Sequence, residues 1–110
     1  MAKNYQETSG SAIMAYALLK GVRLGFLPEQ YRACGIKAFR GICERYLSSD
    51  DEGNLHLGGI CLVAGLGGKQ MRPGTFDYYM SEPVVQDDAK GVGPFLLAYT
   101  EMLRLQNKGI

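Results

Sequence analysis

The sequence lacks the features that mark several large classes of protein. Its net charge is only +1 at pH 7, so it carries no electrostatic footprint for nucleic acid or for an anionic membrane surface. No apolar run approaches the roughly 18 residues of a membrane span. The first residues contain no apolar segment of the kind found in signal peptides. We therefore expect a globular protein without a signal peptide that binds neither nucleic acid nor membranes.

Cysteine and histidine are also scarce. The cysteines are Cys34, Cys43 and Cys61, an odd number without a C-x-x-C pair, so neither a disulfide framework nor a zinc site is supported. Free thiols favour a reducing compartment, and we predict a cytoplasmic protein. His56 is the only histidine. It has no histidine partner for a metal and completes no Ser-His-Asp triad, which favours a structural or exposed role.

Glycine, by contrast, is abundant, and a long loop over residues 65–95 contains much of it. A phosphate-binding P-loop would need glycine where Val63 stands and serine or threonine where Gln70 stands. The dinucleotide pattern G-x-G-x-x-G also fails at Gln70. Nucleotide binding is therefore not supported, although loops of this length are commonly functional.

The periodicity predicts a mainly α fold of three helices and a small β-hairpin. The predicted helices cover residues 9–24, 28–47 and 88–105. Thr8 or Ser9 can cap the first helix, and Asp87 or Asp88 the third, in which Pro94 would occupy the first turn. The first helix is apolar on most sides, whereas the second has one charged face. The 110 residues form at most one domain.

Residues 48–90 form a predicted insertion that contains the hairpin. A polar turn at 48–54 precedes a strand at 55–57, which residues 60–63 could continue, and residues 75–79 read as the return strand. Tyr78 and Tyr79 would then point to opposite faces. One would belong to the core, and the other could either stack on a sugar ring or simply pack.

The element order predicts a geometry. If the helices alternate between an inner and an outer layer, the first and third run parallel, and their N-termini share an end that the insertion covers. Unpaired N–H groups at helix starts suit an anion. Ser9, Ser11 and Lys90 would add donors there.

Carboxylates offer a second possibility. Asp77, Glu82, Asp87 and Asp88 cluster in the loop, and Glu7 precedes the first cap. Paired carboxylates can hydrolyse glycosidic bonds. They can equally cap helices or, as with Glu82, accept backbone N–H groups, so both interpretations stay open.

Several long segments resemble glycoside hydrolase family 105, the unsaturated rhamnogalacturonyl hydrolases, and the related family 88, the unsaturated glucuronyl hydrolases. The segments are 7–12 (ETSGSA), 16–18 (YAL), 20–21 (KG), 60–68 (ICLVAGLGG), 77–85 (DYYMSEPVV) and 88–98 (DAKGVGPFLLA). Asp87 stands where the resemblance leads us to expect asparagine. The resemblance implies an (α/α)6 barrel and removal of Δ4,5-unsaturated uronic acid from oligosaccharides made by polysaccharide lyases, as in pectin degradation. It implies an aspartate that protonates a vinyl ether, and no metal or organic cofactor.

The resemblance covers only the C-terminal part of the family. Twelve helices of about 11 residues with loops of about 5 need roughly 190 residues, so the chain is predicted to be a single partial domain, 1–110. The family's catalytic aspartate lies in its earlier part, and no residue here is assigned that role. The resemblance implies supporting substrate contacts only, at Ser9, Ser11, Tyr78, Glu82 and Lys90.

Two functional hypotheses follow. In the first, the chain is a fragment of an unsaturated-uronate glycoside hydrolase that is inactive alone. In the second, it is a small self-associating helical module without catalytic activity. Three helices cannot cover the apolar first helix, so we predict either a homo-oligomer or association with the missing barrel segment.

Overall fold

The computed structural model describes residues 5–62 and 74–107. Four helices account for most of these residues: α1 (Thr8–Arg23), α2 (Tyr31–Tyr46), α3 (Phe76–Ser81) and α4 (Ala89–Asn107). The fold is mainly α, as predicted, and the three long helices lie close to their predicted bounds. The short α3 is additional to the three predicted helices. The glycine-rich turn at residues 65–68 lies outside the described residues.

α1 buries one stripe of small and aliphatic side chains. Ala12, Ala15, Leu19 and Val22 recur at helical spacing and are all buried. The two alanines are completely inaccessible, and their small side chains let the neighbouring helices approach α1 closely. α1 is therefore the element around which the other long helices pack.

α2 runs antiparallel to α1. Leu19, late in α1, packs over Gly35, early in α2, where an added Cβ would lie 2.8 Å from Leu19 Cγ. Ala12, early in α1, belongs to the same core cluster as Ile42, late in α2. The connection turns at Gly25, whose φ of 83° is one that glycine adopts without strain.

α4 runs parallel to α1. Ile60 contacts the early turns of both helices, and Ala15 and Ala98 share a second core cluster halfway along them. Near the other end, the guanidinium of Arg23 donates to both carboxylate oxygens of Glu101 at 2.8 and 2.9 Å. The starts of α1 and α4 therefore lie at the same end, which confirms the geometric prediction.

The prediction that Pro94 occupies the first turn of α4 is wrong, because Pro94 is the sixth residue of the helix. The helix starts close to its predicted first residue because Asp88 caps it, and Pro94 therefore falls in the second turn: the Asp88 carboxylate accepts the N–H of Lys90 at 2.9 Å. The proline ring cannot donate a backbone hydrogen bond inside the helix. α4 is nevertheless continuous over 19 residues.

Within residues 5–62 and 74–107, four short strands form two separate antiparallel pairs. β1 (Leu47–Ser49) pairs with β2 (Leu55–Leu57), and β3 (Ile60–Cys61) pairs with β4 (Val84–Val85). The predicted return strand at 75–79 is wrong. Residues 76–81 form α3 because the Thr75 hydroxyl accepts the N–H of Tyr78 and caps a helix.

Large apolar side chains stay exposed on two helices. They include Ile13 and Met14 of α1 and Leu96, Leu97, Tyr99 and Leu103 of α4. Apolar faces of this kind are typical of surfaces that pack against another protein element. Among the helices of the described residues, none has the length and apolar character needed to cross a membrane.

Candidate functional site

The starts of α1 and α4 meet the inserted segment at one end of the helices. Thr8, the first residue of α1, is completely buried. Its N–H donates to Gly59 O at 2.7 Å, and its hydroxyl donates to Gly58 O at 2.6 Å. These bonds hold the segment after β2 against the start of α1. The side chains around this end form the candidate site.

Glu7 is the centre of this end. Its carboxylate accepts the N–H of Gly10 at 2.7 Å, the N–H of Cys61 at 2.9 Å and the hydroxyl of Ser9 at 2.6 and 2.7 Å. Burial raises the pKa of Glu7, but these hydrogen bonds, that from Ser9 first, outweigh burial and lower the pKa below its ordinary value. Glu7, rather than Thr8 or Ser9, is therefore the N-cap of α1. The two caps predicted for this helix are wrong.

The bond to Glu7 determines which chemistry Ser9 offers. A hydroxyl has one proton, and Ser9 donates it to Glu7. Ser9 is left as an acceptor, which suits a ligand hydroxyl better than a ligand carboxylate. Ser11 follows two residues later and so lies nearly opposite on the helix; it lines a groove of about 970 Å³ beside α2. The two predicted serines therefore have different surroundings.

The start of α4 also holds a carboxylate of the chain. Asp88 accepts both the N–H of Lys90 at 2.9 Å and its ammonium at 2.8 Å. These bonds from Lys90 lower the pKa of Asp88. The two helix starts do attract anions, as their direction predicts, but the anions are Glu7 and Asp88 themselves. A ligand carboxylate would have to displace one of them or bind elsewhere.

Two buried polar atoms lie on α3 and on the residue that follows it. The Tyr78 hydroxyl and Glu82 Oε2 are inaccessible, and neither has a hydrogen-bond partner among the residues that the structure describes. The residues are four apart, which places them on the same side of a helix. A buried polar atom without a partner costs about 1–3 kcal/mol. Such a cost is typical of positions that a ligand or water completes.

The neighbouring Tyr79 has a packing role. Its ring stacks on Tyr5 with centroids 6.2 Å apart and planes 5° apart, and the two hydroxyl oxygens lie 3.4 Å apart. Burial is the main cause of the raised pKa of both tyrosines. The pair holds α3 over the start of α1. Of the two adjacent tyrosines, Tyr79 therefore packs and Tyr78 carries the unpaired hydroxyl.

His56 bridges two carboxylates. Its Nδ1 lies 2.7 Å from Asp87 Oδ2, and its Nε2 lies 2.9 Å from Asp50 Oδ2. The hydrogen bond with Asp87 first, and then that with Asp50, raises the pKa of His56. The same bonds lower the pKa of Asp87 and take that of Asp50 to about 2. His56 thus joins two segments of the chain, and the absence of a catalytic role for it stays a prediction.

Sequence reasoning missed Glu7 and Asp50 as organising residues. The signal for Glu7 was local, since an acidic residue three positions before Gly10 can cap a helix start. The bridge at His56 had no local signal, because Asp87 is 31 residues away in the sequence. Within residues 5–62 and 74–107, no three histidine, cysteine or acidic side chains are arranged to hold a metal ion.

The sequence profile of Glycosyl Hydrolase Family 88 matches residues 1–106. The chain belongs to glycosyl hydrolase family 88. Two curated relatives match this family 88 chain at 51% identity over 111 residues: a protein of Agrobacterium fabrum and a 24.9 kDa protein of the picA locus in Rhizobium radiobacter. The match covers 96% of the chain and 48% of each relative. The chain thus spans about half the length of the curated relatives it matches.

Solved structures show the same relationship. A family 105 glycoside hydrolase from C. acetobutylicum superposes with a TM-score of 0.88 at 50% identity, covering 92% of the family 88 chain and 28% of that protein. Possible family 105 members from Salmonella enterica and Klebsiella pneumoniae give TM-scores of 0.73 and 0.72 at 29% and 28% identity. The Salmonella match covers 94% of this chain and the Klebsiella match covers 93%, and each spans 24% of the other protein. The fold is that of one part of these proteins.

Only some of the predicted substrate contacts share a location in this family 88 chain. Ser9 lies at the capped start of α1, and Tyr78 and Glu82 belong to α3 and its end, which the tyrosine pair holds over that start. Ser11 lines the groove beside α2, and Lys90 pairs with Asp88. The roles of all five residues in substrate binding stay predictions.

Proposed function

We propose that this chain forms one wall and part of the roof of a sugar site in an enzyme that removes Δ4,5-unsaturated uronic acid from oligosaccharides. Lyase-made galacturonyl and rhamnogalacturonyl oligosaccharides are the substrate class. An acid protonates the vinyl ether double bond, water adds at the neighbouring carbon, and the resulting hemiketal rearranges with release of the sugar. Membership of family 88 supports glycoside hydrolase chemistry. The choice of unsaturated oligosaccharides as substrates is our proposal.

The observation that carries this proposal is a pair of buried polar atoms without partners, one on α3 and one on the residue that follows it. The Tyr78 hydroxyl and Glu82 Oε2 are buried without a partner among the described residues. Sugar hydroxyls both donate and accept, so a bound sugar could satisfy both atoms. Ser9 at the start of α1 donates its proton to Glu7. Its oxygen would accept a hydrogen bond from a third sugar hydroxyl. Such a set of contacts recognises a polyol.

The carboxylates of the chain favour a proton donor elsewhere. A general acid works best when its pKa lies near the operating pH. The pKa shifts at Glu7, Asp50, Asp87 and Asp88 are all downward, because each carboxylate accepts hydrogen bonds. These groups stay ionised at neutral pH. These four carboxylates are therefore poor proton donors. In line with the family resemblance, we place the catalytic aspartate outside this chain and expect the chain alone to be inactive.

A chimera tests the proposal. The matching segment of the C. acetobutylicum family 105 enzyme is replaced by this chain, to which it is 50% identical. Loss of the absorbance of the conjugated double bond in an unsaturated galacturonyl disaccharide is the readout, and the unmodified enzyme is the positive control. We expect turnover by the chimera and none by the chain alone. Turnover by the chain alone would refute the proposal that the catalytic acid lies outside this chain.

Variants of the same chimera test the site residues. Tyr78→Phe removes only the hydroxyl, and Ser9→Ala removes the acceptor, so each should lower kcat/KM. A hydrogen bond of about 0.5–1.5 kcal/mol predicts a loss of roughly 2- to 13-fold. Glu44→Gln, an exposed change on α2, is the control. A folded chimera that leaves a substrate of the unmodified enzyme untouched would contradict the sugar-site role.

A self-associating module is the second candidate function. The exposed apolar side chains of α1 and α4 favour it, since Ile13 is 54% and Met14 59% accessible. We propose that either a second copy or the missing barrel segment covers these faces. Oligomeric state distinguishes the two occupants.

A further inference from the structure

His56 occupies a position that its neutral ring cannot satisfy. Both ring nitrogens lie within 2.9 Å of carboxylate oxygens, one from Asp50 and one from Asp87. A neutral imidazole has one N–H donor and one acceptor nitrogen, whereas the protonated ring has two donors. An ionised carboxylate only accepts. Both contacts are therefore attractive only while the ring is doubly protonated.

The two carboxylates are held in their ionised form by other bonds. Asp50 Oδ1 accepts the N–H groups of Glu52 and Asn54, both at 2.9 Å. Asp87 Oδ1 accepts the N–H of Leu57 at 2.8 Å. A carboxylate that accepts backbone N–H bonds resists protonation. The proton shared among these groups therefore resides on His56.

The bridge joins two parts of the chain that are distant in sequence. Asp50 closes the turn between β1 and β2 through its bonds to the backbone. Asp87 precedes α4 and exchanges hydrogen bonds with Leu57, the last residue of β2. The segment that follows β2 is the one that holds Thr8 at the start of α1.

We propose that His56 is a pH-sensitive latch that fastens the turn after β1 to the segment before α4 when protonated and releases Asp50 when neutral. Asp50 is the group released because its other bonds, to the N–H groups of Glu52 and Asn54, lie within its own exposed turn, whereas Asp87 is also anchored to β2 by its two bonds with Leu57. Asp50 and Asp87 are the charged groups that face the ring among the described residues, since Lys90 is engaged by Asp88.

The direction of the pH effect follows from the bonds. They raise the pKa of His56 above its ordinary value of about 6.5. The stabilisation of the folded chain by the protonated His56 is therefore complete below a pH of about 6.5, and it is lost as the pH rises through the raised pKa of His56. At the acid end it is lost again as the pH falls through the lowered pKa values of Asp50 and Asp87.

Nitrogen-15 NMR of the full chain tests the latch. His56 is the only histidine, so its ring signals need no assignment by mutation. We expect a pKa above the ordinary value and a neutral ring that keeps its proton on Nδ1, facing Asp87. Exchange of the Asn54 amide, corrected for intrinsic rates, should accelerate above that pKa, while the Leu57 amide stays protected.

Three variants make the test specific. Asp50→Asn and Asp87→Asn should each lower the pKa of His56, whereas Asp51→Asn, an exposed neighbour, should leave it unchanged. Asparagine tolerates the positive φ of 63° at position 87, so that variant is expected to fold. A pKa at or below the ordinary value, or equal pKa values in all three variants, would overturn the proposal. So would a neutral ring with its proton on Nε2.

Discussion

At the scale of single residues, Glu7 shows how one carboxylate can organise an end of a protein. It bonds the first turn of α1 through Gly10 and, 54 residues along the chain, the backbone of Cys61. The same group takes the proton of Ser9. Structural order and the hydrogen-bonding character of a candidate site residue therefore depend on one side chain.

Replacing Glu7 should destabilise the fold. Glu7→Ala removes the cap of α1 and the hydrogen bond between the Glu7 carboxylate and the N–H of Cys61. We expect a loss of about 1–3 kcal/mol in the free energy of unfolding, measured by urea denaturation. Glu44→Ala, an exposed acid-to-alanine change in α2, is the matched control. Equal losses in both variants would show that Glu7 has no special role.

The cap of α1 was mispredicted for a physical reason. Thr8 and Ser9 are good capping residues in isolation. Thr8 instead directs its hydroxyl to Gly58, which is 50 residues away, and Ser9 donates to Glu7. Contacts with distant segments decide between capping residues that local preference ranks as equal.

At the scale of secondary-structure elements, two helical glycines should respond oppositely to the same substitution. An added Cβ at Gly91 of α4 would lie 2.5 Å from Ile60 Cδ1, and Ile60 is completely buried. Overpacking of this kind costs about 1–3 kcal/mol. Gly41 is exposed on α2, where an added Cβ would meet no atom within 4 Å, so alanine should stabilise the helix by about 0.5–1 kcal/mol.

Thermal unfolding of Gly91→Ala and Gly41→Ala, followed by circular dichroism, measures this difference. We expect the first variant to melt below the unmodified chain and the second at or above it. A common change in both would mean that β3 does not pack against α4 in the way described.

The long elements could be read from the sequence, and the short ones could not. α1, α2 and α4 repeat apolar residues at helical spacing over 16 to 19 residues. α3 has only six residues, and its aromatic run resembles a strand, although Thr75 and Asp77 are suited to a helix start. Pairings such as Ile60 with Val85 depend on the whole fold. The shared helix end was predictable from element order, whereas the bonds within it were not.

At the scale of the whole molecule, the uncovered apolar faces predict association. Light scattering after size exclusion should give a mass above the 12.0 kDa of one chain. Replacing Ile13 and Met14 by lysine places two charges on the exposed face of α1 and should yield a monomer with unchanged helix content. Gln106→Lys, an exposed change on α4, is the control. A monomeric unmodified chain would refute self-association and leave the missing barrel segment as the proposed cover.

The Arg23–Glu101 ion pair has a consequence for how such a chain can evolve. It joins α1 to α4 far from their starts, and the Glu101 side chain is only 5% accessible. Removing Arg23 would leave the buried Glu101 carboxylate without its closest partner, which destabilises the folded chain. The strands, α3 and the capping carboxylates all lie toward the other end, where changes leave the pair intact. Substitutions that alter the candidate site can therefore accumulate without loss of the ion pair that joins the other end of the helices.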